Sequence, residues 1–156
     1  MNISTLQGLV NTLSTHIDNK DVANDAISKA NVGWHIQHSF IVIAKIIEAT
    51  KQSNPSNYKW KFNFKRTLIY SLKKIPRGKA RAPKTVMPVE LANAQTLHQL
   101  KEQALQAISI LNTLDKKNYF SHPFFGNLKL SHTIKTLNIH TKHHLNIITD
   151  ILAHKN

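Results

Sequence analysis

The chain has 156 residues, of which 41% are apolar, a formal net charge of +13 and no cysteine. This length and apolar content predict a single domain over residues 1–156 with its own hydrophobic core. The composition excludes disulfides, thiolate metal ligands and a cysteine nucleophile, and the lack of an apolar run of ~18 residues argues against a membrane-spanning helix. Because the N-terminus also lacks the pattern of a signal peptide, we expect a cytoplasmic protein.

The positive charge is concentrated in one segment. Ten of the 21 Lys and Arg residues lie between Lys59 and Lys84, where there is no acidic residue, and the rest of the chain has 11 basic against 8 acidic residues. Such a segment attracts phosphates, carboxylates or nucleic acid. The candidate anion-binding residues are Lys73, Lys74, Arg77, Lys79 and Arg81.

Two helices are predicted before the basic segment. Apolar residues recur at three- and four-residue steps from about Ser4 to Asp18, which is typical of an amphipathic helix. A second helix is predicted from the cap residue Asn31 to about Gln52, and its centre is apolar on almost all sides, so we expect it to be buried. Pro55 then ends this helix.

The basic segment itself has a mixed pattern. Aromatic residues at positions 58, 60, 62 and 64 alternate with other residues as in a short strand, whereas residues 64–75 fit a short helix. From Pro76 to Pro88 the chain is rich in Pro, Gly and Lys and is predicted to be irregular. We interpret residues 58–88 as a long crossover within one domain.

Two further helices are predicted after the crossover. Pro88 suits the first turn of a third helix, whose apolar stripe continues to about Leu114. Residues 115–127 are predicted to be an aromatic loop, and the last helix runs from about Leu130 to His154. Four long helices with one extended crossover predict an all-α protein, an antiparallel four-helix bundle.

The strongest chemical signal is a pair of histidines in the last helix. His140 and His144 are four residues apart and therefore share a helix face, and the apolar stripe of the helix passes through or beside both. An unsatisfied buried nitrogen costs roughly 1–3 kcal/mol, and one divalent metal ion satisfies a nitrogen of both rings. The alternative is a pair of hydrogen-bonded core histidines, since such pairs also arise by chance in a chain with ten histidines.

A third metal ligand is expected from the second helix, where His38 is the better candidate and His35 the alternative. A set of three imidazoles suits zinc or nickel, with iron or copper as further options, and leaves one coordination position open. His143 is rotated away from His140 and is expected beside the site or in solvent. His122 could approach from the aromatic loop or only help that loop to cover the helices.

Three stretches resemble the DinB-like (DinB/YfiT) superfamily of bacterial metal-binding four-helix bundles. They are Trp34 to Ser39, the loop His122-Pro-Phe-Phe-Gly126, which resembles an uncharacterised branch, and His140 to Leu145. The resemblance implies that His38, His140 and His144 hold a divalent metal ion. It also implies, for members with an activity, transfer or isomerisation with low-molecular-weight thiols such as bacillithiol or mycothiol. The basic crossover matches no family motif, so no substrate is implied.

Three functions are open from the sequence. The first is a metal-dependent enzyme, a thiol-dependent transferase or a hydrolase, whose basic crossover draws in a small anionic substrate or thiol; no catalytic residue is identified. The second is a nucleic-acid-binding module in which the aromatic residues of 58–84 stack on bases, although these residues could instead close the open end of the helices. The third is a non-catalytic metal-binding protein. We expect no membrane partner, and a flat helical face could support a homodimer.

Overall fold

A computed structural model describes residues 2–78 and 84–154 of the chain. These residues form five α-helices and two β-strands: α1 (Ile3–Ser14), α2 (Val32–Lys51), α3 (Phe64–Leu72), α4 (Ala94–Ile110), β1 (Tyr119–His122), β2 (Gly126–Lys129) and α5 (Leu130–Ala153). The bounds of α2 and α5 confirm the prediction to within one residue. Within the described ranges, no helix combines the length and the apolar character needed to cross a membrane.

The predicted all-α four-helix bundle is wrong, because the fold contains a small antiparallel sheet and a fifth helix. The stretch predicted to be an aromatic loop is a hairpin in which His122 pairs with Gly126 across a three-residue turn. Gly126 has a φ of 69°, which glycine adopts without strain. The Nδ1 atom of His122 accepts the backbone N–H groups of Phe124 and Phe125 at 3.1 and 3.2 Å, which stabilises the turn. This stretch contains aromatic residues where a turn usually has polar ones, so its sequence did not indicate a hairpin.

The four longer helices share one hydrophobic core. Both α1 and α2 pack against α4 and α5. The side chains at the centre of this core are fully buried: Leu6 and Leu13 of α1, Ile36, Phe40 and Ile43 of α2, Leu97 and Ile108 of α4, and Leu137 and Ile148 of α5. The single domain over residues 1–156 stays a prediction.

The start of α2 is held in place by a cap and a close backbone contact. Asn31 caps the helix, as predicted, because its side-chain oxygen accepts a backbone N–H three residues on at 2.9 Å. The backbone N–H of Gly33 donates to the carbonyl of Lys20 at 2.8 Å, and a Cβ atom on Gly33 would lie 2.9 Å from that same oxygen. This close approach, which only glycine permits, fixes the end of α2 that carries His35 and His38.

The crossover differs from its prediction in two places. Residues 58–63 form no strand, since they pair with no other segment in the described chain. The third predicted helix begins at Ala94 rather than at Pro88, because the side chain of Asn93 caps the helix at that point. Lys79 and Arg81, two of the predicted anion-binding residues, lie outside the described residues.

Candidate metal centre

Three histidines from α2 and α5 converge at one point. His140 and His144 are one turn apart on α5, His38 faces them from α2, and one ring nitrogen of each lies within 4.8 Å of the other two. These side chains are therefore close enough to hold a metal ion. The Nε2 atoms of His140 and His144 are 3.2 Å apart. Two nitrogens bound to one tetrahedral zinc ion would be about 3.3 Å apart, so this spacing fits a shared metal as well as a hydrogen bond between the two rings.

The ring of His38 is oriented by a backbone carbonyl and an aromatic ring. Its Nδ1 donates to the carbonyl oxygen of Val86 at 2.9 Å. A neutral imidazole with its proton on Nδ1 has its lone pair on Nε2, which is then free to bind a metal ion. The ring of Trp34 stacks on His38 with a centroid distance of 4.8 Å and an interplanar angle of 15°. His38 is thus held in one tautomer and one orientation.

The ring of His144 is held by a second histidine. The Nδ1 atoms of His35 and His144 are 2.9 Å apart, and Nε2 of His35 lies 3.0 Å from the hydroxyl oxygen of Ser28. If His144 donates from Nδ1, its Nε2 carries a lone pair toward His140, and His35 donates onward to Ser28. His35, the alternative third ligand, therefore lies behind His144 and outside the group of three.

His140 carries a buried nitrogen without a partner. The side chain is partly exposed, but its Nδ1 is enclosed and has no hydrogen-bond partner among the described residues. An unpaired buried nitrogen lowers the stability of the fold by about 1–3 kcal/mol, whereas Leu or Ile at this position has no polar atom to leave unpaired. A metal ion bound through Nε2 of His140 would also leave Nδ1 unpaired, so this atom does not distinguish a metal ligand from a core histidine.

Burial keeps the three ligand candidates neutral. It lowers the pKa of His38, and it lowers the pKa values of His140 and His144 well below the ordinary value of 6.5, with repulsion between the rings adding to the effect on these two. The neutral imidazole is the form that binds a metal ion. Few protons would compete with a metal at neutral pH.

The rim of the cluster contains His143 and one residue of the basic crossover. His143 contacts the ring of His144 edge-on at 5.2 Å and is not one of the three converging histidines. Burial lowers the pKa values of His35 and His143, and the nearby charge of Arg77 lowers both further. Arg77 forms a 2.6 Å ion pair with Asp150, so its positive charge is already paired with a carboxylate.

The other predicted site residues lie elsewhere. His122 is close enough to His140 for its charge to influence that group's pKa, but its ring stacks on Phe125 at 4.2 Å and its Nδ1 is used by the hairpin turn. Lys73 and Lys74 are exposed at the C-terminal end of α3. Neither lysine is among the groups whose charge influences the clustered histidines.

The sequence analysis missed three residues that orient the histidines without being candidate ligands. Gln37 exchanges hydrogen bonds of 3.1 Å with the backbone of Glu90 and Ala92, which fixes the segment that supplies the Val86 carbonyl. The polar Gln37 in an apolar helix was a usable signal. Val86 contributes only its backbone, and Ser28 is one of many serines, so no sequence pattern distinguishes either.

Comparison of the chain with protein-family models, curated proteins and solved structures gives no match. The resemblance to the DinB-like superfamily therefore stays a prediction. The functional argument rests on the geometry and chemistry of the histidine cluster.

Proposed function

We propose that this protein binds one divalent transition-metal ion through His38, His140 and His144. The observation that carries the proposal is that ring nitrogens of three histidines lie within 4.8 Å of one another, and that His38 and His144 are each oriented by a hydrogen bond at Nδ1. A set of nitrogen ligands without carboxylate favours zinc or nickel, with iron as a further option, over magnesium or calcium. The resemblance to DinB-like proteins implies the same three ligands.

We further propose that the metal centre acts on a small anionic substrate or a low-molecular-weight thiol, as a thiol-dependent transferase or a hydrolase. Three neutral ligands leave the full charge of the metal and an open position, which can polarise a carbonyl or lower the pKa of a bound water or thiol. Arg77 at the rim is the residue that would meet an anionic substrate, and its ion pair with Asp150 would have to open for it to do so. The alternative is a non-catalytic metal-binding protein, and the cobalt(II) titration described below distinguishes it from an enzyme.

Metal analysis of untagged protein tests the first proposal. We expect one metal ion per chain after incubation with zinc and removal of the excess, and loss of this ion in His38→Ala and His144→Ala. His98→Ala is the matched control, because His98 is exposed on α4 and is not one of the three converging histidines. Free zinc at a hundred times its Kd should stabilise the wild type by about 2.7 kcal/mol, observed as a higher Tm. A wild type that binds no metal and keeps its Tm would refute the proposal.

Two further variants and a spectroscopic titration sharpen this test. Replacement of His35 by Phe should weaken zinc binding about 10–100-fold, because His144 loses the group that orients it. His143→Gln should change zinc binding little. In the cobalt(II)-loaded protein, a shift of the visible spectrum on addition of a thiol would demonstrate the open position. An unchanged spectrum would favour the non-catalytic alternative.

A further inference from the structure

Helix α3 has its polar side inside and its apolar side outside. Arg66 is only 4% exposed, whereas Phe64, Leu68 and Leu72 on the opposite face are 70%, 46% and 58% exposed. These three residues are spaced four apart and therefore form one stripe along the helix. Burial of a charged side chain together with exposure of large apolar ones reverses the usual partition in folded proteins. The reversal indicates that a partner covers the outer face of α3.

Hydrogen bonds hold α3 in this orientation. The guanidinium of Arg66 donates to the carbonyl oxygens of Lys61 at 2.6 Å and Phe125 at 3.2 Å. The hydroxyl of Tyr70 hydrogen-bonds to a carbonyl and a hydroxyl of α5 at 2.9 and 2.7 Å. Turning the helix to bury its leucines would break all four bonds, each with a net value of about 0.5–1.5 kcal/mol and more where a charge is involved.

Two neighbouring segments enlarge the apolar surface. Trp60 and Phe62, in the extended chain before α3, are 59% and 66% exposed and line a cavity next to Thr67 and Ser71 of α3, and Phe124 of the hairpin turn is 51% exposed. The carbonyl of Phe124 accepts a hydrogen bond from Asn63 at 3.0 Å, which places the turn beside the start of α3. We call this surface the α3 patch; it consists of Trp60, Phe62, Phe64, Leu68, Leu72 and Phe124. It holds six of the nine exposed large apolar side chains in the described chain, and such a concentration marks an interaction site.

The segments that form the α3 patch are rich in positive charge. Five exposed lysines lie within or next to its segments in sequence: Lys59, Lys61, Lys65, Lys73 and Lys74. None of them forms a salt bridge with a described residue, and the sequence has no acidic residue between Glu48 and Glu90. The partner must therefore accept apolar side chains and carry negative charge.

We propose that the α3 patch docks the protein onto an anionic lipid surface. The tryptophan, phenylalanine and leucine side chains would enter the boundary between headgroups and acyl chains, while the lysines meet the lipid phosphates. This surface contact differs from the sequence-based expectation of no membrane partner, which considered only spanning segments and leader peptides.

Other partners fit the α3 patch less well. A second copy of the chain would bring two sets of uncompensated lysines together, which is electrostatically unfavourable. Single-stranded nucleic acid would stack on Trp60 and Phe62 but offers no apolar environment to Leu68 and Leu72. Trp60, Phe62 and Phe64 are 59%, 66% and 70% exposed, which does not fit the alternative interpretation that these three close the end of the helices, whereas Tyr58 is half-buried against Tyr119.

Co-sedimentation with lipid vesicles tests this proposal. We expect the wild type to sediment with vesicles of mixed phosphatidylglycerol and phosphatidylcholine, less so at high salt, and not with phosphatidylcholine alone. The double variant Leu68→Ser with Leu72→Ser should bind at least about tenfold more weakly, because two apolar side chains are removed from the contact. Val89→Ser is the matched control, because Val89 is 98% exposed but is not part of the α3 patch.

Four results would overturn the proposal. The first is a wild type that stays in the supernatant with phosphatidylglycerol vesicles, and the second is a double leucine variant that sediments like the wild type. The third is binding of a single-stranded oligonucleotide with equal affinity by the wild type and the double variant, together with no binding to vesicles. The fourth is a dimer by light scattering that dissociates in the double variant. Circular dichroism of each variant verifies that the helices are retained.

Discussion

The histidine cluster of His38, His140 and His144 and the α3 patch both reverse the normal distribution of side chains, but in opposite directions. In the histidine cluster, three imidazoles occupy positions that face the core between α2 and α5. On α3, large apolar side chains face solvent while an arginine is buried. The buried imidazoles could enclose a small ligand such as a metal ion. The exposed apolar side chains of α3 could contact a larger partner.

The two regions also differ in how they are held. The histidines lie on the two longest helices, which pack in the shared hydrophobic core. Helix α3 has nine residues and contributes none of the residues of that core. Its orientation depends instead on a few hydrogen bonds, chiefly those of Arg66 and Tyr70. We therefore expect mutations to affect the histidine cluster through global stability and the α3 patch through local opening.

The largest effect is expected from loss of the buried arginine. Arg66→Ala removes two hydrogen bonds from a charged donor and leaves the carbonyls of Lys61 and Phe125 unpaired. We expect the free energy of local opening of α3 to fall by about 2–3 kcal/mol, measured by native-state hydrogen exchange, with a much smaller change in the global free energy of unfolding measured by urea denaturation. Lys65→Ala is the control, since Lys65 is exposed on the same helix and its loss should matter by less than about 0.5 kcal/mol. Equal effects of the two variants would contradict the role given to Arg66.

A pH-dependent effect, which is small at neutral pH and grows as the pH falls, is expected from His122, whose ring contacts Phe124 of the α3 patch. Burial lowers its pKa from 6.5 to about 4. Between these values the unfolded chain takes up a proton that the folded chain does not, so the free energy of unfolding decreases as the pH falls. The contribution reaches about 1.4 kcal/mol per pH unit. Protonation would also remove the acceptor for Phe124 and Phe125.

Replacement by Asn tests this contribution, because an Asn oxygen can accept the same N–H groups without titrating. Urea denaturation of the wild type and His122→Asn at several pH values, with a chelator present, should give a shallower pH dependence for the variant between pH 6.5 and 4. Parallel curves would mean that His122 titrates normally.

The smallest effects are expected from the helix caps, and these separate the two regions most directly. Asn31 caps α2 and Asn63 caps α3, each through its side-chain oxygen. Replacement of a cap Asn by Ala costs about 1 kcal/mol of helix stability. In Asn31→Ala this should lower the global free energy of unfolding, whereas in Asn63→Ala it should mainly accelerate hydrogen exchange within α3. An equal loss of global stability in both variants would show that α3 unfolds together with the core.

The sequence by itself determined the parts of the fold that depend on local pattern. The long apolar periodicities of α2 and α5, and the Asn31 cap, predicted these helices to within one residue. The four-residue spacing of His140 and His144, and the position of His38 on α2, predicted the three histidines that the structure brings together. Spacing along one helix is a local property, which is why it could be read without a structure.

Only the tertiary structure decided which face of each element is buried and what lies behind the site. The pattern of α3 predicts a helix with an apolar stripe, but the bond from Arg66 to the carbonyl of Phe125, 59 residues away, turns that stripe outward. The carbonyl that orients His38 is supplied by Val86, 48 residues away. The hairpin also replaced a predicted loop. Contacts between distant backbone groups have no periodicity, so the sequence alone does not reveal them.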